Sequence, residues 1–280
     1  MKTRKKIYCP ICGNSGLRLV FEYTSPPKGE TRFKFSSDQV YYRKILQCNM
    51  CGHFISMHDM NITALYSGDY VNATYREEEG LYESYKKIMN LDPERSDNVR
   101  RVRRILDFSN TFFSGDVPPH RIRKVLDIGS GLCVFLKRMK DAGWDSTAID
   151  PDGRAISHAI HHVGVKGFCG DFMVLQSEEK YDLITFNKVL EHVSDPVKML
   201  SKAVSNSSPG GLIYIEVPDG EVAAAQGKER QEFFIDHPNI FSFSSLSLMM
   251  MRAGLLPLCI ERIKEPSSKY TLLAFGRVCG

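Results

Sequence analysis

From Arg121 to the C-terminus the sequence predicts an α/β domain on a mostly parallel sheet, and the residues before it predict a small cysteine-bearing module. Two observations carry this reading. After Arg121, strand-like apolar runs alternate with helical stretches, and the first run ends in a glycine turn that opens a helix. Upstream, four of the eight cysteines fall into two CxxC pairs. The chain divides into residues 1–60 with the paired cysteines, 61–120 as a helical linker or cap, and 121–280 as the α/β domain.

In the first stretch, apolar and aromatic patches such as LRLVFEY alternate between the cysteine pairs and predict a two- or three-stranded ribbon. In the second, SDNVRRVRRIL predicts a helix with Ser96 as N-cap and Val99, Val102, Ile105 and Leu106 on one face. Pro118 and Pro119 stop any helix there. In the third, KVLDI predicts the first strand and LCVFLKRMKDAG a helix ending at Gly143. STAID predicts the next strand and GRAISHAIHHVG a helix closed by Gly164. VKGFCGDF, YDLITFN and GLIYIEV continue the series, and LLPLCIERI and YTLLAFGRV predict a closing hairpin, which makes the last strand antiparallel. Strands that alternate with helices imply right-handed crossovers and a sheet covered on both faces.

With 42% hydrophobic and 25% charged residues, the composition is that of a soluble globular protein. A net charge of +4 does not call for a nucleic-acid or membrane partner. No apolar run of signal-peptide length follows MKTRKK before Cys9, and the apolar stretch Leu246–Ile260 is broken by Arg252, Gly254 and Pro257, so no membrane span and a cytoplasmic location are expected. In a reducing compartment the paired cysteines read as metal ligands, and Cys133, Cys169, Cys259 and Cys279 as small hydrophobes.

Cys9 with Cys12 and Cys48 with Cys51 form two matched knuckles, each followed by a glycine, Gly13 and Gly52. Zinc takes four soft ligands in a tetrahedron, and each knuckle supplies two thiolates from one turn, so a structural zinc ion with all four positions filled is expected. A redox dithiol is the competing reading, which two matched knuckles disfavour. His53 and His58 lie near enough in sequence to replace a thiolate, but are expected as surface residues.

VLDIGSG (125–131) delivers Asp127 at a strand end, and Gly129, Ser130 and Gly131 form a tight turn that a ligand can approach closely. Asp150 and Pro151 end the second strand, where a carboxylate can accept both hydroxyls of a ribose. Any nucleoside-binding Rossmann-like fold shares these features. A dinucleotide site needs glycine where Val134 stands, and Asp127 would crowd anionic phosphates but suits a cationic amino-acid end.

Asp127-Ile-Gly129-Ser-Gly131, Asp150, Gly170-Asp171-Phe172 and YDLITFNKVLEHVSDP, in this order, resemble the class I S-adenosylmethionine (SAM)-dependent methyltransferases, whose sheet is Rossmann-like. The resemblance implies that the glycine turn holds the methionine part and Asp150 the ribose. It implies further that Asp171 and Phe172 flank the adenine and that Asn187, Lys188, Glu191 and His192 line the mouth of the site. Cys133 departs from the family, standing where many members have a third glycine.

Methyl transfer aligns donor and acceptor and, for a hydroxyl or carbon acid, removes a proton. EFFIDHPNIFSF offers Asp236 and His237 for this, with a cap on the helix beginning near Ser244 as the competing role for His237. This segment, the cysteine module and LYSGDYVNATY resemble sugar methyltransferases of bacterial glycan and natural-product pathways, which implies a sugar or nucleotide-sugar acceptor. In the branch acting on keto nucleotide-sugars a Glu-His pair serves catalysis; here it is Asp236-His237, and the branch's extra C-terminal domain is absent from this sequence, which leaves O-methylation open beside C-methylation. Tyr70 and Tyr75 are expected over the substrate. A zinc-ribbon RNA methyltransferase and a non-catalytic SAM-binding subunit are the alternatives, and a nucleic-acid partner is not expected, because the basic residues lack an interleaved aromatic platform.

Overall fold

The computed structural model describes residues 6–30, 40–60, 78–115 and 121–279. Three strands lead: β1 (Leu17–Tyr23), β2 (Arg43–Cys48) and β3 (Phe54–Met57). Helices α1 (Glu78–Met89) and α2 (Asp97–Phe112) follow. Ser96 caps α2 by accepting from the amide of Val99, and Val102 and Ile105 are buried on its inner face, as the spacing predicts. Arg101 is buried beside them, ion-paired to Glu216 at 2.5 Å, which fixes α2 to the sheet. Tyr82 and Tyr85 of α1 lie against the His158 ring of the α/β domain.

The α/β domain then runs β4 (Lys124–Ile128), α3 (Val134–Asp141), β5 (Asp145–Asp150), α4 (Gly153–His158), β6 (Lys166–Cys169), β7 (Tyr181–Asn187), α5 (Pro196–Asn206) and β8 (Ser207–Pro218). After it come α6 (Gly220–Ala225), the two-residue β9 (Asn239–Ile240), α7 (Phe243–Arg252), β10 (Leu255–Lys264) and β11 (Tyr270–Val278). The large sheet has the order β10-β11-β8-β7-β4-β5-β6. Its β4–β8 strands pair in parallel, and β11 is inserted antiparallel between β8 and the edge strand β10. The strand order therefore reverses at β4, with β5 on one side and β7 on the other, and in open parallel sheets ligands bind outside the strand ends at such a reversal. Buried β7, with six of its seven residues inside, reads as the near-continuous apolar run typical of a strand covered on both faces.

The second sheet has the order β1-β2-β3-β9, all antiparallel. The ribbon expected from the sequence thus takes a further strand from the α/β domain. Its core is shared as well: Tyr23, Tyr41, Ile45 and Phe54 pack with Phe233, Ile235 and Ile240. Among the described residues no helix is long and apolar enough to cross a membrane.

Helix α7 begins at Phe243 with Ser242 as N-cap, in a capping box with Ser245. His237 is therefore not the cap of that helix. Ser242 Oγ also donates to the carbonyl of Cys51 at 2.6 Å, tying α7 to the second cysteine knuckle.

At Gly220, a Cβ would stand 2.6 Å from Phe54 Cδ2 and 3.0 Å from Ile240 Cγ2. Gly220→Ala is therefore expected to push the two cores apart and destabilise the chain by about 1–3 kcal/mol, read as a lower midpoint in denaturant unfolding.

Candidate functional site

Asp127 ends β4 beneath the glycine turn and is 2% exposed. Its Oδ1 accepts from Thr185 Oγ1 at 2.6 Å and from Asn187 Nδ2 at 2.8 Å, both on neighbouring β7. Burial pushes its pKa up to about 7 despite these bonds and the nearby Arg101 charge. A cation at the turn would draw it back down. Gly129 and Gly131 both adopt positive φ, +69° and +48°. A Cβ at 129 would lie 2.7 Å from Val189 Cγ2, whereas the one at 131 would meet nothing within 4 Å, so the turn's open side is at Gly131.

Asp150 lashes this turn to β5: its Oδ2 accepts from the amide of Gly131 and its Oδ1 from that of Asp152, each at 2.9 Å. Burial raises its pKa. Pro151 is exposed beside it. Ser130 is buried, with its amide bonded to the carbonyl of Ile149 at 3.2 Å. Cys133, the N-cap of α3, has φ +54°. The turn thus takes a left-handed conformation at a residue that is not glycine, at a cost of about 1–2 kcal/mol. Cys133 is buried, as expected of a small hydrophobe, whereas Cys169 and Cys279 are exposed.

Among the described residues, no group bonds the buried Asn187 Oδ1 or Glu191 Oε2. Each could accept a hydrogen bond from a ligand, one beside the turn and one beyond it. Asp171 accepts from the amide of Met173 at 2.8 Å and lines a cavity of about 420 Å³ with Val193, Asp195 and Lys198. Phe172 is 3% exposed and sets its ring edge-on to Phe186 in the core.

A separate cavity of about 250 Å³ lies past the end of β7, lined by Lys188, Glu191, His192, Glu232, Asp236 and His237, with Gly29 of the N-terminal module at its rim. Lys188 has φ +64° and donates from Nζ to Thr271 Oγ1. His192 Nδ1 donates to the carbonyl of Asp236 at 2.7 Å, and His237 Nδ1 to that of Glu232 at 3.0 Å. The two rings are 4.9 Å apart. Burial lowers the His237 pKa, opposed by the Asp236 carboxylate, whose Oδ2 is 3.7 Å from Nε2. Neutral His237 therefore holds its proton on Nδ1 and offers Nε2 as a base, and Asp236 stands where it stabilises the charged ring.

The predicted residues fall into groups. Asp127, the glycine turn, Asp150 and Asn187 gather at the strand-order reversal, and Lys188, Glu191, His192, Asp236 and His237 gather one step further out. Asp171 borders another cavity, and Tyr70 and Tyr75 lie outside the described residues. Sequence reasoning missed Thr185, which completes the Asp127 cradle; its place on β7 facing the end of β4 is a matter of register, which no motif announces.

Cys9, Cys12, Cys48 and Cys51 place their sulfurs within 4.8 Å of one another. Cys9–Cys51 and Cys12–Cys48 are 3.6 and 3.4 Å apart. Zinc–sulfur bonds of about 2.3 Å in a tetrahedron put sulfurs about 3.8 Å apart, so the donor set fits that ion. His53 is not the surface residue expected: it is fully buried, with its ring against Phe241 and Nε2 3.0 Å from Asn239 Oδ1.

Residues 93–259 match the family model described as a methyltransferase domain. The ubiquinone biosynthesis O-methyltransferase of Actinobacillus pleuropneumoniae is 27% identical over 169 residues, covering 56% of this chain and 65% of the relative, so the chain spans just under two thirds of that relative's length. Among solved structures, the magnesium protoporphyrin IX methyltransferase of Synechocystis, with bound S-adenosylhomocysteine, superposes with a TM-score of 0.58 at 14% identity, over 77% of this chain and 99% of that one. The 1,6-didemethyltoxoflavin-N1-methyltransferase of Burkholderia thailandensis gives 0.54 at 16% identity, over 84% and 99%. At these identities the superpositions show a shared fold.

The raised Asp127 pKa fixes a sign for stability. Its folded value, about 7, exceeds the unfolded value, so ionisation costs stability as pH rises through 7 and costs nothing below the unfolded pKa. Asp127→Asn is therefore expected to raise the melting temperature of the ligand-free protein at pH 8, with the gain shrinking towards pH 5.

Proposed function

The chain belongs to the methyltransferase-domain family, and from that premise we propose that it is a SAM-dependent enzyme that methylates an oxygen or acidic carbon of a sugar or related small metabolite. One observation carries the acceptor class: the cavity beyond the glycine turn is lined largely by charged and polar side chains. That lining suits a polyhydroxylated molecule better than the apolar body of a quinol.

Bound at the glycine turn, SAM supplies an electrophilic methyl group on a sulfonium. Asp127 and the open backbone at Gly131 would hold its charged amino-acid end, and Asp150 its ribose. Asp150's oxygens are now shared with two amides, which leaves lone pairs for both hydroxyls. Glu191 Oε2 would accept from an acceptor hydroxyl, and His237 Nε2 would take the proton released as the new bond forms. Asp236 then stabilises the imidazolium. The four cysteines hold a structural zinc ion in this reading, with no position left for substrate.

Radiolabelled SAM offered with a panel of nucleotide sugars, with phenols and with total RNA tests the assignment: label is expected in a sugar, and label in RNA alone would overturn it. His237→Gln is expected to lower turnover about 10²–10⁴-fold while leaving S-adenosylhomocysteine affinity unchanged in calorimetry. SAM affinity is expected to fall as pH drops below 7, because the protonated Asp127 no longer attracts a cation, and Asp127→Asn should flatten that dependence. Purified without chelators, the protein should carry about one equivalent of zinc; less than half would count against the four-cysteine site.

A further inference from the structure

We propose that the buried Glu30–Arg43 pair of the N-terminal module is a positioning device for Asp236 and His237, acting on the acceptor cavity through the backbone of Phe233 and Ile235. The role given to His237 rests on the reading above; the clamp itself is geometric.

Arg43 is fully buried and Glu30 is 6% exposed. Arg43 Nη2 donates to Glu30 Oε1 at 2.9 Å, and Tyr41 OH donates to Glu30 Oε2 at 2.6 Å. The guanidinium sits over the Tyr23 ring, 4.2 Å from its centroid. The pair also reaches across to the other domain. Glu30 Oε1 accepts from the amide of Ile235 at 2.7 Å, while Arg43 Nη1 donates to the carbonyl of Phe233. One acid and one base thus grip the two backbone groups that flank Phe234, immediately before Asp236.

The same segment is held on its far side. The amide of Ser56 donates to the carbonyl of Pro238 at 3.0 Å, and β3 pairs with β9. Asn239 carries the grip inward: its Oδ1 meets His53, its Nδ2 donates to the carbonyl of Val193 at 2.7 Å, and its amide donates to that of Glu191 at 3.2 Å. His237 therefore lies between two anchors that both belong to the N-terminal module, and the second also reaches the turn bearing Glu191 and His192.

Packing of Phe233, Ile235 and Ile240 would suffice to hold the two cores together. A buried ion pair adds little to stability and is better suited to selecting one conformation. Here the conformation it selects is the one that aims His237 into the cavity.

The test compares wild type, Glu30→Gln and the double variant Glu30→Gln/Arg43→Met, the last leaving neither charge buried alone. Histidine ring NMR follows the titration of His237, assigned by the signal lost in His237→Gln, and calorimetry with S-adenosylhomocysteine and zinc content are measured on the same samples. In wild type the His237 ring faces Asp236, His192, Glu191 and the carbonyl of Glu232, with Lys188 and Lys269 on the cavity wall. Once the clamp is loosened, its titration midpoint is expected to rise towards the ordinary histidine value of about 6.5, while S-adenosylhomocysteine affinity stays within about twofold and zinc is retained. Folded, zinc-bearing variants with an unchanged His237 titration would overturn the proposal. Where Glu30→Gln does not fold, the double variant decides alone. Failure of S-adenosylhomocysteine to bind wild type would instead sink the cofactor reading, and the histidine titration would still judge the clamp.

Discussion

The segment from Glu232 to Ser242 belongs to two cores at once, and the rest of the architecture follows from that constraint. Phe233, Ile235 and Ile240 fill the interior of the N-terminal module, while Glu232, Asp236 and His237 line a cavity of the α/β domain. Side chains that alternate between two interiors cannot shift register without expelling one set from its core. The cavity wall is thereby fixed by packing that has nothing to do with its chemistry.

Across the cavity the limiting quantity is charge. Asp127 is buried where water cannot compensate an ionised carboxylate, and two neutral donors from β7 still leave its pKa raised to about 7. The free protein therefore holds a destabilised anion at the point where a cationic donor would arrive. His237 is the mirror case: burial lowers its pKa and keeps the ring unprotonated, free to accept a proton, while the Asp236 carboxylate beside it makes the charged form tolerable. Both groups are poised by desolvation, and both would relax only when occupied.

The α/β strands, their order along the chain and the glycine turn were legible in the sequence, because period and turn chemistry are local. Ser96 capped its helix where the spacing placed it, and Gly143 and Gly164 follow their helices at positive φ, the second after a π-helical turn over Ala159–Val163 that continues α4. What stayed hidden depends on pairing between distant segments. A two-residue strand such as β9 leaves no periodicity, so the fourth strand of the small sheet and the burial of His53 behind it were invisible. Glu30 and Arg43 belong to no motif, and nothing in their neighbourhood along the chain announces that each ends beside the other. The sequence offered Asp236 and His237 as candidates, yet part of their setting comes from residues about 200 positions earlier.

Why a module of this kind would carry a four-cysteine cluster follows from its size. A few dozen residues bury too little apolar surface to fold alone, and such modules need a metal or a partner surface. This one has the donors for the first and the whole of the second: four clustered cysteines, three of them buried in the large core, and a core completed by Phe233, Ile235 and Ile240 from the other domain. Ser242 links the two supports, because its hydroxyl donates to the carbonyl of Cys51 in the second knuckle while accepting from the amide of Ser245 at the start of α7. A knuckle set by a bound metal would therefore also set the start of α7, and with it the exit of the segment that carries Asp236 and His237. No cysteine lines that cavity, so a metal held by the four would act on it only through Ser242 and α7.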